Sequence, residues 1–176
     1  MPRIHVCSLR TLHPTVASTG ARQVLTLIKN TGQVERPASV TADRHLALDF
    51  SDIVAAREGE VLASSTQVEA LVDFVRRWDR KAPLVVHCYA GVSRSTAGAF
   101  ISACALRPDR AEEEWATELR LASPTATPNL PLVTLADRLL DRRGRMIAAI
   151  EKIGRGVDCF EGTPFHLDIG PRPGGR

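Results

Sequence analysis

The stretch Leu84-Val85-Val86-His87-Cys88-Tyr89-Ala90-Gly91-Val92-Ser93-Arg94-Ser95 constrains the fold more than any other part of the chain. An apolar run that stops at a cysteine reads as a buried strand. The small residues that follow Arg94 (Ala97, Gly98, Ala99, Ala103), with Phe100 and Ile101, read as a helix pressed against a sheet. An interior glycine costs a helix about 1 kcal/mol relative to alanine, so close packing is the reason to keep it. Between strand and helix lie five uncharged residues, with a glycine and no proline. Such a loop can turn backbone N–H groups inward, and the helix N-terminus behind it leaves further donors unpaired in a partly positive field. The segment is therefore an anion cradle. Arg94 adds a planar fork for phosphate oxygens, and Cys88 stands in a field that favours the thiolate, the form that attacks.

The upstream chain supplies the neighbours such a strand needs. Residues 3–9 and 22–28 are short β-branched runs, separated by a polar piece with His13-Pro14 and Ser18-Thr19-Gly20 that reads as a turn or short helix. Leu46, Leu48 and Phe50 alternate with period two, so 45–50 is a third strand. A polar connection over 53–63 leads to Thr66 and Glu69, a capping-box pattern, before Val68, Leu71, Val72, Val75 and Trp78 at helical spacing. A helix between two strands is what a parallel crossover requires, and such sheets bind ligands beyond the carboxyl ends of their strands. Cys88 lies at such an end.

Downstream, Asp109 with Glu112 caps a helix carrying Trp115 and Leu119 that stops before Pro124, and 123–129 is a loop by composition. Pro131 then opens an apolar face of Leu132, Leu135, Ala136 and Leu139, continued by Met146, Ile147, Ile150 and Ile153. Gly144 leaves open whether this is one helix or two. The expected architecture is α/β: a central, mostly parallel sheet of about four or five strands flanked by helices, with extra helices towards the C-terminus. Residues 1–165 are expected to form one domain. Residues 166–176, rich in glycine and proline, are expected to be a flexible tail, with Phe160 and Phe165 anchoring the stretch before it.

Composition narrows the function by exclusion. The 176 residues carry 23 Lys+Arg against 20 Asp+Glu, a formal charge of +3 that announces neither nucleic acid nor a membrane as partner. Cys7, Cys88, Cys104 and Cys159 are scattered, and no histidines pair at ligand spacing, so neither a metal nor another cofactor is expected. Ile4-His5-Val6-Cys7-Ser8-Leu9 is too short and polar for a signal-peptide core, and no apolar run approaches a membrane span of about 18 residues. The expected home is a reducing cytoplasm, where a free cysteine stays reactive. Nothing in the sequence speaks to oligomeric state.

The loop His87-Cys88-Tyr89-Ala90-Gly91-Val92-Ser93-Arg94-Ser95 resembles the signature of the cysteine-dependent protein tyrosine and dual-specificity phosphatases: His-Cys, five residues, Arg, then Ser or Thr. Ser93-Arg94-Ser95 looks more like the dual-specificity branch than the strictly tyrosine-specific one, which favours glycine before the arginine. The fold resemblance extends over about residues 20–122, the motif itself over nine positions. It implies that Cys88 attacks phosphorus to give a phosphocysteine, while Arg94 and the backbone of Tyr89, Ala90, Gly91, Val92 and Ser93 hold the phosphate oxygens. It also implies that Ser95 hydrogen-bonds the sulfur and that His87 braces the loop. The substrate implied is a phosphorylated protein, phosphotyrosine favoured. The loop has no lysine, and phosphoinositide-directed relatives often carry extra basic residues there.

The leaving oxygen needs a proton, and so a carboxylic acid on a separate loop. Family members place it upstream of the cysteine, after a strand, which favours Asp52 over Asp49, with Glu58 and Glu60 as weaker substitutes. Three other features have plainer readings. Arg138, Arg142 and Arg145 form either a basic face for an acidic substrate or, as preferred, a solvated face with an Asp141–Arg145 pair. Cys104 could resolve an oxidised Cys88, but ten helical residues span about 15 Å, so it reads as core. Asn129 reads as a helix cap, with an active-site contact as the alternative. Readings that compete with hydrolysis are a phosphopeptide-binding module that has lost turnover, a rhodanese-like sulfur carrier and an arsenate reductase.

Overall fold

The computed structural model describes residues 2–171. Five strands form one sheet in the order β3-β2-β4-β1-β5: β1 (Arg3–Ser8), β2 (Gln23–Leu27), β3 (His45–Leu48), β4 (Leu84–Cys88) and β5 (Phe165–Asp168). The first four are mutually parallel, and β5 runs antiparallel to β1. The α/β architecture expected from the strand and helix patterns is the one present. β2 and β4 are buried along their whole length, so neither shows an alternation of buried and exposed residues.

Alternate residues of these strands serve two faces. Cys7, Val24 and Val85 meet α1 (Leu12–Thr19) through Leu12 and Val16. Ile4, Val6, Leu25, Leu27, Leu84 and Val86 enter the larger core, shared with α2 (Ser65–Arg76), α3 (Arg94–Leu106), α4 (Glu112–Ala122), α5 (Leu130–Leu139) and α6 (Arg145–Ile153). Helix α3 packs among α2, α4, α5 and the sheet. A Cβ on Gly98 would stand 2.6 Å from Leu27 Cδ1 and 3.1 Å from Val86 Cγ1, so the glycine is there for the close approach. Among the described residues no helix is long and apolar enough to cross a membrane.

Several local expectations are corrected. Helix α2 is capped by Ser64 with Gln67, not by Thr66 with Glu69: Ser64 Oγ accepts from Gln67 N, and Gln67 Oε1 accepts from Ser64 N. Asp109 caps nothing. It pairs with Arg107, which holds its carboxyl down at about 2, and α4 begins after Ala111 without a side-chain cap. Gly144 does split the last helical run, entering α6 with φ +84°, and buried Asp137 accepts from the N–H groups of Gly144 and Met146. Neither arginine reading holds for the pair Arg142 and Arg145. Both reach the buried carboxylate of Glu112, at 3.1 and 3.3 Å, and Asp141 pairs with Arg143 instead.

The largest correction concerns the C-terminal segment. Residues 165–168 are a sheet strand, and Leu167 and Ile169 are buried, so the chain is ordered well past residue 165. The alternation of Phe165 and Leu167 with polar residues is too short to stand out, and only the free edge of β1 gives it a partner. The end of the expected tail, 172–176, lies outside the described residues. Phe160 anchors nothing, being fully exposed, whereas Phe165 packs on the core.

Candidate active site

Because β1 to β4 are parallel, their carboxyl ends share one edge of the sheet, and the candidate residues gather there. Cys88 ends β4, and Arg94 opens α3. The loop between is held from outside by its carbonyls. Tyr89 O accepts from Leu9 N at 3.1 Å, Ala90 O from Gly162 N at 2.9 Å, Val92 O from Thr127 N at 2.9 Å, and Ser93 O from Asn129 N at 3.2 Å. A trans peptide sets its N–H opposite its C=O. Outward carbonyls at 89, 90, 92 and 93 therefore turn the N–H groups of Ala90, Gly91, Ser93 and Arg94 inward. Gly91 N–H indeed donates to Cys88 Sγ at 3.3 Å. Gly91 has φ +73°, and a Cβ there would stand 2.9 Å from the Cys7 and Ser8 backbone, so both conformation and space demand glycine.

Cys88 is 1% exposed at the floor of this ring. Its Sγ–H donates to the buried Ser95 Oγ at 3.1 Å, and on ionisation the hydroxyl can turn and donate to the sulfur. The buried Arg94 guanidinium is tethered through Nη1 to Phe50 O at 2.8 Å, while its Nε has no hydrogen-bond partner. Its planar fork thus stays aligned beside the cradle. His87 lies behind the loop. Its Nε2 shares the buried Thr26 hydroxyl, at 2.7 Å, with His45 Nε2, also at 2.7 Å. Burial pushes His87 down to about 4, so it stands neutral at pH 7.

Asp52 follows β3 on a loop closed at its neck, where Ser51 N donates to Val61 O at 2.7 Å and Val61 N donates to Ser51 Oγ at 3.1 Å. Its Oδ1 accepts from Ser93 Oγ at 2.7 Å and from Asn129 Nδ2 at 3.0 Å. Its Oδ2 lies 3.9 Å from Arg94 Nε. One oxygen is thus held while the other faces the cradle. Asp49 is occupied elsewhere: its carboxylate accepts from the N–H groups of Asn30 and Thr31, closing the turn after β2. Glu60 pairs with Lys29 at 3.1 Å, and hydrogen bonds from Ser51 and Lys29 hold its carboxyl below the usual range.

Some of the architecture escaped the sequence reading. Asn129 does cap α5, accepting from Leu132 N at 3.1 Å, and the same amide bonds Asp52, so both readings hold at once. The Ser93 hydroxyl, the Thr127 amide, the Phe50 carbonyl and Gly162 were not foreseen as partners, and only the Pro128-Asn129 turn carried a legible signal. Cys104 is a core thiol, pushed up by burial, and Cys7 is pushed up to about 11 by the same cause. Taken together, the edge offers a buried thiol, a ring of amides with a guanidinium, and a carboxyl group opposite. That is a seat for a tetrahedral oxyanion against sulfur.

Comparison with known proteins agrees. A family profile described as protein-tyrosine phosphatase matches residues 57–121, from the Asp52 loop into α4. The chain superposes on the Cydia pomonella phosphatase PTP-2 with TM-score 0.60 at 18% identity, covering 77% of this chain and 84% of that one. Human DUSP28 gives 0.60 at 15%, over 80% and 89%. PTPMT1 in complex with PI(5)P gives 0.59 at 15%, over 80% and 94%. No curated protein matches the chain by sequence. The class is thus an α/β phosphatase fold with a cysteine loop at the strand ends. Within that fold, residues 57–121 are similar to the protein-tyrosine phosphatase family, and the neighbours include tyrosine and dual-specificity phosphatases.

Proposed function

We propose that this protein hydrolyses phosphomonoesters through a phosphocysteine, acting on phosphotyrosine in protein substrates, with phosphoserine and phosphothreonine as the extension its dual-specificity-like loop permits. Residues 1–165 together with β5 form the working domain. Cys88 thiolate forms a bond to phosphorus as the ester P–O bond breaks, and the protonated Asp52 passes its proton to the leaving oxygen. Arg94 and the inward amides of Ala90, Gly91, Ser93 and Arg94 hold the three equatorial oxygens throughout. Water then attacks phosphorus, Asp52 takes its proton, and the S–P bond breaks while Ser95 donates to the departing sulfur. His87 braces the loop. Atoms and charge balance with protein groups and water alone, so no metal or cofactor is called on, and the free thiol suits a reducing compartment such as the cytoplasm.

The observation that carries this reading is the placement of Asp52 by Ser93 and Asn129 opposite the Cys88 floor. A cradle alone argues for binding phosphate; a cradle with a positioned acid argues for releasing it. The test is turnover of a chromogenic aryl phosphate by wild type and Cys88→Ser. Hydrolysis by wild type and its loss in Cys88→Ser is expected. Hydrolysis that persists in Cys88→Ser removes the nucleophile assignment, and none by wild type favours a phosphopeptide-binding module. Likeness to PTPMT1, whose structure holds PI(5)P, keeps a phosphoinositide as the second substrate to assay. The lysine-free loop weighs against it.

A further inference from the structure

Resting on that reading, we propose that Phe160 and Tyr89 form a specificity cleft beside the cradle, which takes an apolar side chain flanking the phosphorylated residue of a protein substrate. A cleft of about 300 Å³ is lined by Leu9, Arg10, Tyr89, Ala90, Phe160 and Glu161. Its floor is the cysteine loop itself, since Tyr89 and Ala90 are the first two residues after Cys88. The cleft therefore adjoins the cradle, within reach of residues that flank a phosphorylated residue seated there. Phe160 is fully exposed and Tyr89 is 67% exposed, two large apolar surfaces left to solvent at the mouth of the site.

The segment carrying Phe160 is pinned at both ends to the walls of the site. Upstream, Gly156 N donates to Thr127 Oγ1 at 3.1 Å and Val157 N to Pro124 O at 3.0 Å. Downstream, the Glu161 carboxylate accepts from Ser8 Oγ and from Arg10 Nε, and Gly162 N donates to Ala90 O. Phe160 is thus presented at a set position relative to the loop, with little backbone freedom left to lose on binding. The two charges in the cleft neutralise each other, Arg10 Nε lying 2.9 Å from Glu161 Oε2. An acidic flanking residue finds no unpaired cation there, and an apolar one finds two rings.

The test uses phosphotyrosine peptides identical but for Leu or Asp at one flanking position, scanned over two residues each side. Wild type is expected to prefer Leu by about tenfold in kcat/KM at one of these positions, the scale of partial burial of a Leu side chain. Phe160→Ser should abolish that preference while leaving aryl phosphate turnover within about twofold, and Val157→Ser, exposed on the same segment outside the cleft, should keep it. Phe160 is fully exposed, so folding does not confound the result. The proposal is overturned if no position shows a preference, or if the preference survives Phe160→Ser. It is also overturned if Phe160→Ser lowers aryl phosphate turnover as much as peptide turnover, or if the substitution acts only on phosphoinositide vesicles. The same peptides titrated onto Cys88→Ser read the cleft without turnover. An apolar preference in Kd with no hydrolysis by wild type would sink the hydrolase reading and leave the cleft standing.

Discussion

Asp52 depends on two short side chains that the chain brings from distant places. Ser93 comes from the cysteine loop and Asn129 from the cap of α5. If Asp52 is the acid, Asp52→Asn should lower kcat by about 10²-fold on a phenyl leaving group and far less on p-nitrophenyl, which needs little protonation. Asp49→Asn should loosen the turn after β2 and spare kcat; the reverse result would move the acid to Asp49. Asn129 separates two duties in one experiment. Asn129→Ser keeps a good cap but no longer reaches Asp52, so stability should stay within about 0.5 kcal/mol while kcat falls severalfold. A loss of stability with unchanged kcat would make Asn129 a cap only.

At the scale of elements, the strand, loop and helix over residues 84–106 act as one unit because its neighbours hold the loop from outside. The end of β1, the loop before α5 and the segment before β5 each bond one or two of its carbonyls. Gly91 is where this unit touches β1 most closely. Gly91→Ala should cost about 3 kcal/mol or more, from a left-handed alanine plus a backbone clash, and should abolish aryl phosphate turnover. A urea midpoint unchanged from wild type would contradict this account of the loop. The apolar run and the small-residue helix were legible in the sequence because their neighbours lie close along the chain or impose a simple periodicity. The clamps were not, since backbone N–H groups from residues 9, 127, 129 and 162 carry no residue-type signal.

Over the whole molecule, buried histidines tie stability to pH. His87 is pushed from 6.5 to about 4 by burial, so the unfolded chain takes up a proton first as pH falls. Its contribution is complete above pH 6.5 and is lost between 6.5 and 4, at most about 3 kcal/mol. His5, also pushed down to about 4, by burial and then by His166 and Arg3, is half exposed and adds less in the same direction. Urea midpoints should therefore fall across this interval. Imidazole resonances should show His87 titrating near 4, and a His87 midpoint near 6.5 would contradict a buried, neutral imidazole.

The nine-residue loop, the crossover helix before it and the glycine of α3 were determined by the sequence alone, because each states a local rule about conformation, periodicity or charge. The sheet edge that β5 fills, the pairing of Arg142 and Arg145 with Glu112, and the different partners of Asp52 and Asp49 were decided only by the tertiary structure. Each of these joins groups far apart in sequence. Two carboxylates three residues apart look alike on paper; one meets Ser93 and Asn129 and the other meets the turn after β2, because the chain leaves β3 at Leu48 and turns between them.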